Sequence, residues 1–356
     1  MDIRKRSRLF LSGWAVLAIA VAAEARAVKP FEDVRNKDLK ALGWTVDPAV
    51  IKTLWFNEKT VWPDACAAAA GNVLRKAKNP GLKLRSLHAK GVTGKGVTAA
   101  IIDQNMFLDH PEYSGKIIVY KDFGCGAAAA QGSMHGPAVT SLFVGAHTGA
   151  APGARLYYAA VPSWYADARY YARAMDWIVA ENAKLPAGSK IRVVSISAAP
   201  SGAGSPYKNG GAYLAARTRA ENAGILVMDC TDTRCFTDAA FYDINAPDDL
   251  SKCKLGFPSH PGPAGTDSLY IPSTRRTQAE EYDKGDCSYQ FTGSGGLSWT
   301  VPTLAGVLCL GWQVNSSLTG TEIIGLAKSS AYLKDGKYMI INPEAFVSAA
   351  RPRAAR

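Results

Sequence analysis

Residues 97–103 read VTAAIID, an apolar run that is closed by an aspartate. A run of this kind, without the alternation of a half-exposed strand, is typical of a strand covered on both faces of a sheet. Four similar runs follow at residues 116–120, 155–161, 191–197 and 224–230. Helical patterns at 169–183 and 212–222 lie between some of them. We therefore predict a three-layer α/β fold with a mainly parallel central sheet and helices on both faces.

Polar residues close several of the predicted strands. Asp103 ends the first, Ser197 ends the fourth, and the stretch DCTD (229–232) ends the fifth. Functional residues of parallel sheets usually lie at the carboxyl ends of the strands, so these side chains are candidates for a functional site. Segments 200–211 and 255–275 are rich in Gly, Pro and Ser and are predicted to be loops.

The composition excludes a disordered or fibrous chain, because 47% of its 356 residues are hydrophobic and only 20% are charged. The formal net charge is +11, from 41 Lys and Arg against 30 Asp and Glu. These basic residues are scattered, which is typical of a solvated surface and not of a nucleic-acid-binding face. We expect no nucleic-acid partner.

The first 27 residues have the order of a secretory signal. A basic start is followed by an apolar stretch at residues 9–23 and then by Ala25-Arg26-Ala27, an A-x-A cleavage pattern. The alternative is an uncleaved anchor, but the apolar stretch is shorter than the ~20 residues of a spanning helix. We expect cleavage after Ala27 and a secreted or periplasmic monomer without a stable membrane anchor. Residues 28–82 are interpreted as an N-terminal extension or short pro-region, and residues 348–356 as a basic tail.

Seven cysteines are present, and in an oxidising compartment disulfides are the expected state. Seven is odd, so at least one thiol is unpaired. Cys309 lies in the apolar run 304–312, where a cysteine packs as a small hydrophobe, and we predict that it is the unpaired one. No CxxC and no metal-type His pair occurs, so we expect no zinc site and no cofactor. The pattern leaves open whether the chain binds structural calcium.

Three local patterns carry candidate catalytic residues. The first joins GVTGKGV (91–97) to AAIID (99–103) and DHPE (109–112). The second joins SMHGPAV (133–139) to GAAPGA (149–154), and the third is GLSWTVP (296–302) at the start of an apolar helix. Together they resemble the three active-site segments of the subtilisin-like serine proteases, or subtilases, in the same chain order Asp…His…Ser. The resemblance covers residues 83–347 and implies the subtilisin-like fold and a serine endopeptidase acting on peptide or protein substrates.

The resemblance implies a triad of Asp103, His135 and Ser298. A serine hydroxyl needs a base to take its proton, and the base needs a carboxylate that fixes its tautomer. Taken singly, each residue has a structural alternative: a turn or capping residue for Asp103 and His135, and a helix N-cap for Ser298. Ser197, Ala198 and Ala199 stand where the family pairs its strand edge with the substrate backbone. The family also carries His110 beside its aspartate, and we interpret that histidine as structural.

The sequence departs from the family at each segment. The largest departure is the missing asparagine that supplies an oxyanion donor; Asp232 is the nearest match, and Thr231 is the alternative donor. Two other functions stay open. One is a pseudoprotease that acts as a binding or scaffold protein. The other is an esterase, which is disfavoured because Ser298 lacks a Gly-x-Ser-x-Gly elbow.

Overall fold

The computed structural model describes residues 26–231 and 237–352. Eight α-helices lie in these ranges: α1 Asp64–Lys76, α2 Leu84–Ala89, α3 His135–Val144, α4 Arg169–Lys184, α5 Gly210–Asn222, α6 Leu297–Val314, α7 Gly320–Ser329 and α8 Pro343–Ala350. The described strands are β1 Trp55–Asn57, β2 Thr98–Asp103, β3 Ile117–Asp122, β4 Arg155–Ala160, β5 Ile191–Ile196, β6 Leu226–Asp229, β7 Thr237–Phe241, β8 Lys254–Phe257, β9 His260–Pro261, β10 Leu269–Thr274, β11 Arg276–Glu280, β12 Ser288–Thr292, β13 Tyr332–Lys334 and β14 Tyr338–Ile340.

A parallel sheet with the strand order β3-β4-β2-β5-β6 forms the centre of the molecule. Its two faces carry separate cores, as the pleat requires. Ala99 and Ile101 pack with α3 and α6 on one face, whereas Ala100 and Ile102 pack with α4 and α5 on the other. The predicted three-layer α/β architecture is confirmed, and each of the five predicted strands is present within two residues of its predicted bounds.

The prediction of a loop at 255–275 is wrong. β8 and β9 occupy its start and β10 its end, within a second, mixed sheet of order β13-β14-β10-β7-β8-β9. The Gly and Pro residues of this segment lie largely between the strands, and the buried strand β10 even contains Pro272. Pairing with β7 and β14 on both sides outweighs the local loop composition, which is how tertiary context overrides propensity.

The predicted N-terminal extension is a packed unit. A 3-10 helix (Pro48–Thr53), β1 and α1 enclose a small core of their own, and Phe291 of β12 inserts into that core. β1 pairs antiparallel with β12, which completes a third sheet of order β1-β12-β11. At its start, Ala27 bridges to Thr45. The signal sequence itself lies outside the described residues, except for its last two positions.

Two further sequence predictions concern cysteines and the tail. All six described cysteines are free, so the predicted disulfides find no support among them, and Cys309 is a buried free thiol. Helix α8 runs to Ala350, three residues into the predicted basic tail.

Helix α6 is long and apolar enough to cross a membrane, but most of it is buried inside the protein.

Candidate active site

Asp103 and His135 meet at the carboxyl edge of the parallel sheet. Asp103 is the last residue of β2 and is only 4% exposed, and His135 is the first residue of α3. Nδ1 of His135 lies 2.7 Å from Oδ1 of Asp103. Gly136 permits this approach, because a Cβ atom there would lie 2.7 Å from the carbonyl oxygen of Gln104. The start of α3 therefore sits directly against the segment that follows β2.

The environment of His135 favours its charged form. Burial lowers the pKa of the imidazole, but the charge and the hydrogen bond of Asp103 outweigh burial and hold the pKa above its ordinary value. The same Oδ1 atom accepts a second hydrogen bond of 2.8 Å from the backbone N–H of Gln104. Asp103 is thus oriented by two hydrogen bonds to the same oxygen and can stabilise an imidazolium at His135.

Ser298 lies in the first turn of α6 and is bound reciprocally to Ser197, which follows β5. The Ser298 hydroxyl donates to the carbonyl oxygen of Ser197 at 3.2 Å, and the Ser197 hydroxyl donates to the carbonyl oxygen of Ser298 at 2.8 Å. The second bond has a local cause. A helix carbonyl normally accepts from the N–H four residues later, which here is Pro302 and has none.

The position of Pro302 is unusual, because a proline is most easily tolerated in the first turn of a helix. Helix α6 begins at Leu297, so Pro302 lies beyond the first turn and inside the helix. The helix tolerates the proline because the hydroxyl of Ser197 replaces the lost donor. The same contact fixes the backbone of Ser298 against the edge of the sheet.

A cavity of about 270 Å³ opens beside the pair. Asp103, His135 and the three residues Ser197–Ala199 line it, together with Gln104, Ser163, Tyr171, Pro206 and Tyr207. The predicted triad residue Ser298 adjoins this cavity through its bonds to Ser197. The carbonyl oxygens of Ala198 and Ala199 already accept hydrogen bonds, from Cys230 N–H at 2.8 Å and from Ser205 Oγ at 2.6 Å.

The predicted oxyanion donor Thr231 already uses its donor groups within the protein. Thr231 donates its backbone N–H to Oδ1 of Asp229 at 2.7 Å, and its hydroxyl donates to the same oxygen. Neither donor is therefore free for a substrate in this arrangement. Asp232 lies outside the described residues. The backbone N–H of Ser298 has no carbonyl four residues before it inside α6, so it is a remaining candidate donor.

The sequence interpretation missed Trp299 as a site residue, whereas Cys230 lies in the stretch 229–232 that it named as a candidate. The ring of Trp299 lies 5.3 Å from the ring of His135, centroid to centroid, and only 2% of Trp299 is exposed. The thiol of Cys230 lies close to the side chain of Ser298. Trp299 was visible only as a departure from the family motif, and the position of Cys230 beside Ser298 depends on the packing of β6 against α6.

His110 has the structural role that its position indicates. It is fully buried, its Nδ1 accepts the backbone N–H of Glu112, and its Nε2 lies 3.0 Å from the carbonyl oxygen of Ser288. Burial lowers the pKa of His110. It therefore joins the 109–112 segment to β12 and lies outside the cavity lined by His135.

Comparison with known proteins identifies the fold of the chain but not its family or activity. No family model and no curated protein sequence matches the chain. Among solved structures, the subtilase cytotoxin SubAB matches with a TM-score of 0.58 and 16% identity, over 76% of this chain and 95% of that chain. The prenylagaramide maturation protease PagA matches with a TM-score of 0.51 and 15% identity, over 75% and 98%. Fervidolysin from Fervidobacterium pennivorans, a keratinolytic enzyme related to subtilisin, matches with a TM-score of 0.52 and 14% identity, over 77% of this chain but only 46% of that chain.

These likenesses establish that the chain has a subtilisin-like fold, as the sequence motifs predict. The chemistry of the site must therefore be argued from its own residues.

Proposed function

We propose that the protein is an exported serine endopeptidase that hydrolyses peptide bonds in peptide or protein substrates through Asp103, His135 and Ser298. The observation that carries the proposal is the 2.7 Å hydrogen bond between the buried carboxylate of Asp103 and Nδ1 of His135. This bond leaves Nε2 available as the base that a serine hydroxyl needs. The subtilisin-like fold supports the assignment, and the export signal at residues 1–27 is the basis for its proposed location.

In the proposed reaction the Ser298 hydroxyl turns from the carbonyl of Ser197 towards Nε2 of His135, which takes its proton as the oxygen attacks the scissile carbonyl. His135 then gives that proton to the leaving amine, and an acyl ester remains on Ser298. A water molecule, deprotonated by His135, hydrolyses the ester and restores the hydroxyl. Asp103 holds the imidazole in the required tautomer and stabilises its charged form. The N–H of Ser298 at the start of α6 supports the developing oxyanion.

The edge formed by Ser197, Ala198 and Ala199 is the proposed binding edge for the substrate backbone, which adds as an extended strand. The carbonyl oxygens of this edge already accept bonds from Ser298, Cys230 and Ser205. Each carbonyl oxygen has two lone pairs, so a second donor from the substrate is compatible with the existing bonds.

The decisive experiment is labelling of the purified protein with a fluorophosphonate, which reacts with an activated serine, followed by assay of peptide cleavage. We expect labelling of the natural protein and its loss in Ser298→Ala. Ser316→Ala is a matched control, because Ser316 is exposed just beyond α6 and only its backbone carbonyl is bound, by Arg192. Equal labelling of Ser298→Ala and the natural protein would refute the assignment of the nucleophile.

A second candidate is a binding or scaffold protein without turnover. Two contacts favour it: both donors of Thr231 are taken by Asp229, and the Ser298 hydroxyl is bound to Ser197. Absence of labelling and of cleavage in the natural protein at every pH from about 4 to 9, where a triad could work, would favour this candidate.

A further inference from the structure

A second cavity, of about 210 Å³, lies among cationic side chains outside the candidate active site. We name it the cationic pocket and define it by Lys52, Lys252, Lys254 and Arg275, which line it with the carboxylate of Asp243 and the ring of Phe241. Four cations thus face one lining anion. None of these residues lines the cavity beside His135.

The topology of the mixed sheet brings these charges together. β7 and β10 run parallel and end at the same edge, where Phe241 pairs with Thr274. β8 runs antiparallel to β7, so it begins at that edge, with Lys254 opposite Phe241. Arg275 directly follows Thr274 at the end of β10. Lys52 enters from the 3-10 helix of the N-terminal unit.

Arg275 is unusual in having no hydrogen-bond or ion-pair partner among the described residues. Its guanidinium makes no hydrogen bond or ion pair to another residue of the described ranges, and its buried Nε has no acceptor there. The adjacent Arg276 provides the contrast, since it donates to the carbonyl oxygens of Ala77, Pro80 and Thr148. Leaving a buried polar atom unpaired costs free energy, so the unpaired Nε makes the Arg275 guanidinium available to an acceptor from outside the chain.

The backbone and the ring of Phe241 hold Arg275 in this position. Arg275 has φ of 56°, in the left-handed region that a non-glycine residue adopts at an energetic cost. Its guanidinium carbon lies 4.8 Å from the centroid of Phe241. Burial lowers the pKa of Arg275, and the charge of Asp243 only partly opposes this effect. The guanidinium is therefore oriented and incompletely compensated.

Two lysines add charge that is not neutralised by neighbours. Lys52 and Lys254 are exposed and make no ion pair within the described residues, whereas Lys252 lies 3.8 Å from a carboxylate oxygen of Asp249. The planar donor array of an arginine matches a tetrahedral oxyanion, and lysines add point charges around it.

We propose that the cationic pocket binds a small doubly charged oxyanion, with the Arg275 guanidinium as its main donor and Lys254 and Lys252 as flanking charges. The chemistry is that of a phosphoryl group, either as free inorganic phosphate or as a phosphomonoester on a larger molecule. The volume of about 210 Å³ accommodates such a group. The proposal does not depend on the proposed peptidase activity.

The test is isothermal titration calorimetry of the mature chain with inorganic phosphate, at an ionic strength held constant with chloride. We expect saturable binding at one site, weakened at least tenfold in Arg275→Gln and several-fold in Lys254→Gln. Lys95→Gln is the matched control, because Lys95 is also exposed, lies outside the pocket and gives the same change of charge. The Lys95→Gln variant should bind phosphate with the same affinity as the natural protein.

The proposal is overturned if phosphate gives no saturable heat beyond that of chloride, or if Lys95→Gln loses as much affinity as Lys254→Gln. If Arg275→Gln does not fold, Lys254→Gln decides, since an exposed lysine can be replaced without disturbing the core. A parallel titration with glycerol 3-phosphate, a phosphomonoester, distinguishes a phosphomonoester ligand from free inorganic phosphate. Binding equal to that of phosphate supports a phosphomonoester ligand, and binding of inorganic phosphate alone supports the free ion.

Discussion

The imidazole of His135 has two close neighbours, the carboxylate of Asp103 and the indole of Trp299. Both neighbours favour imidazolium, because a cation within about 6 Å of an indole centroid is attracted to the ring. The other titratable side chains that interact with Asp103 are uncharged near neutral pH, since burial raises the pKa of each: Tyr158, Tyr171, Tyr207 and Cys230.

The raised pKa of His135 sets the sign of two pH effects. A general base must be neutral, so kcat/KM should rise with pH through a midpoint above about 6.5, the ordinary value for histidine. The folded state gains stability from the charged pair below about 6.5 and loses it as pH rises through the folded pKa.

Replacing Trp299 with methionine should lower the midpoint of the acidic limb of kcat/KM by about 0.5–1 pH unit, because the imidazolium loses its interaction with the indole. The measurement is the pH–rate profile on a peptide substrate. Trp312→Met is the matched control, since Trp312 lies on the same helix, is also 2% exposed, and donates its N–H to Leu318 far from His135. An unmoved midpoint in Trp299→Met, or an equal shift in both variants, would show that Trp299 only fills space.

The oxyanion donor can be located by comparing two substitutions. Thr231→Val should cost about 1 kcal/mol of unfolding free energy, because the buried Asp229 loses a hydrogen bond, and should leave kcat nearly unchanged. If Asp232 takes the place of the family's asparagine, Asp232→Asn should raise kcat near neutral pH by about tenfold or more, because an amide donates where a carboxylate repels the oxyanion. The reverse pattern, with kcat lost in Thr231→Val and unchanged in Asp232→Asn, would place the donor at Thr231.

At the scale of elements, the start of α6 and the end of β5 form one unit. Pro302 removes the helix donor for the carbonyl of Ser298, and the hydroxyl of Ser197 replaces it at 2.8 Å. The site is therefore aligned by a hydrogen bond between two elements instead of one within the helix.

This exchange of donors predicts a coupling that a double-mutant cycle can measure. Ser197→Ala should lower the free energy of unfolding by about 1–3 kcal/mol, because it leaves the carbonyl of Ser298 without a donor. In a Pro302→Ala background the same change should cost less, since the restored N–H at position 302 reaches that carbonyl. Denaturant unfolding of the four proteins gives the coupling. Equal costs of Ser197→Ala in both backgrounds would contradict the exchange.

At the scale of the whole molecule, the N-terminal unit is bonded to the strands that lead to Ser298. The backbone N–H of Gly293 donates to the carbonyl of Leu54 at 2.9 Å, and a Cβ atom at Gly293 would lie 2.2 Å from the carbonyl carbon of Thr53. The backbone N–H of Thr277 donates to the carbonyl of Ala77 at 3.1 Å. These contacts favour an extension that stays in the mature protein over a pro-region that is removed.

We therefore predict that N-terminal sequencing of exported protein begins at Val28 and not near residue 80. Loss of residues 28–80 would expose the core around Phe291 and would remove two acceptors of the fully buried Arg276, Ala77 and Pro80. A protein expressed without that segment should fail to fold, as followed by circular dichroism. Isolation of a folded, active protein that begins near residue 81 would restore the pro-region interpretation.

The sequence by itself determined the central sheet and the identity of the candidate triad. Runs such as 97–103 and 191–197 lack the alternation of a half-exposed strand and recur between helical patterns, which is typical of a buried parallel sheet, so the architecture could be predicted locally. Asp103, His135 and Ser298 could be named because each lies in a short motif whose residues are adjacent in the chain.

The tertiary structure alone decided the contacts between distant segments. Cys230 beside Ser298, Trp299 against His135, and the exchange between Ser197 and Pro302 join elements whose spacing in the chain carries no signal. The sequence did not predict strand β10, because its segment has a loop-like composition. The strand is stabilised by pairing with β7 and β14, which local composition does not report. The physical reason is the same in each case: local composition reports the preferences of a segment, whereas packing and hydrogen bonding depend on what the rest of the chain brings to it.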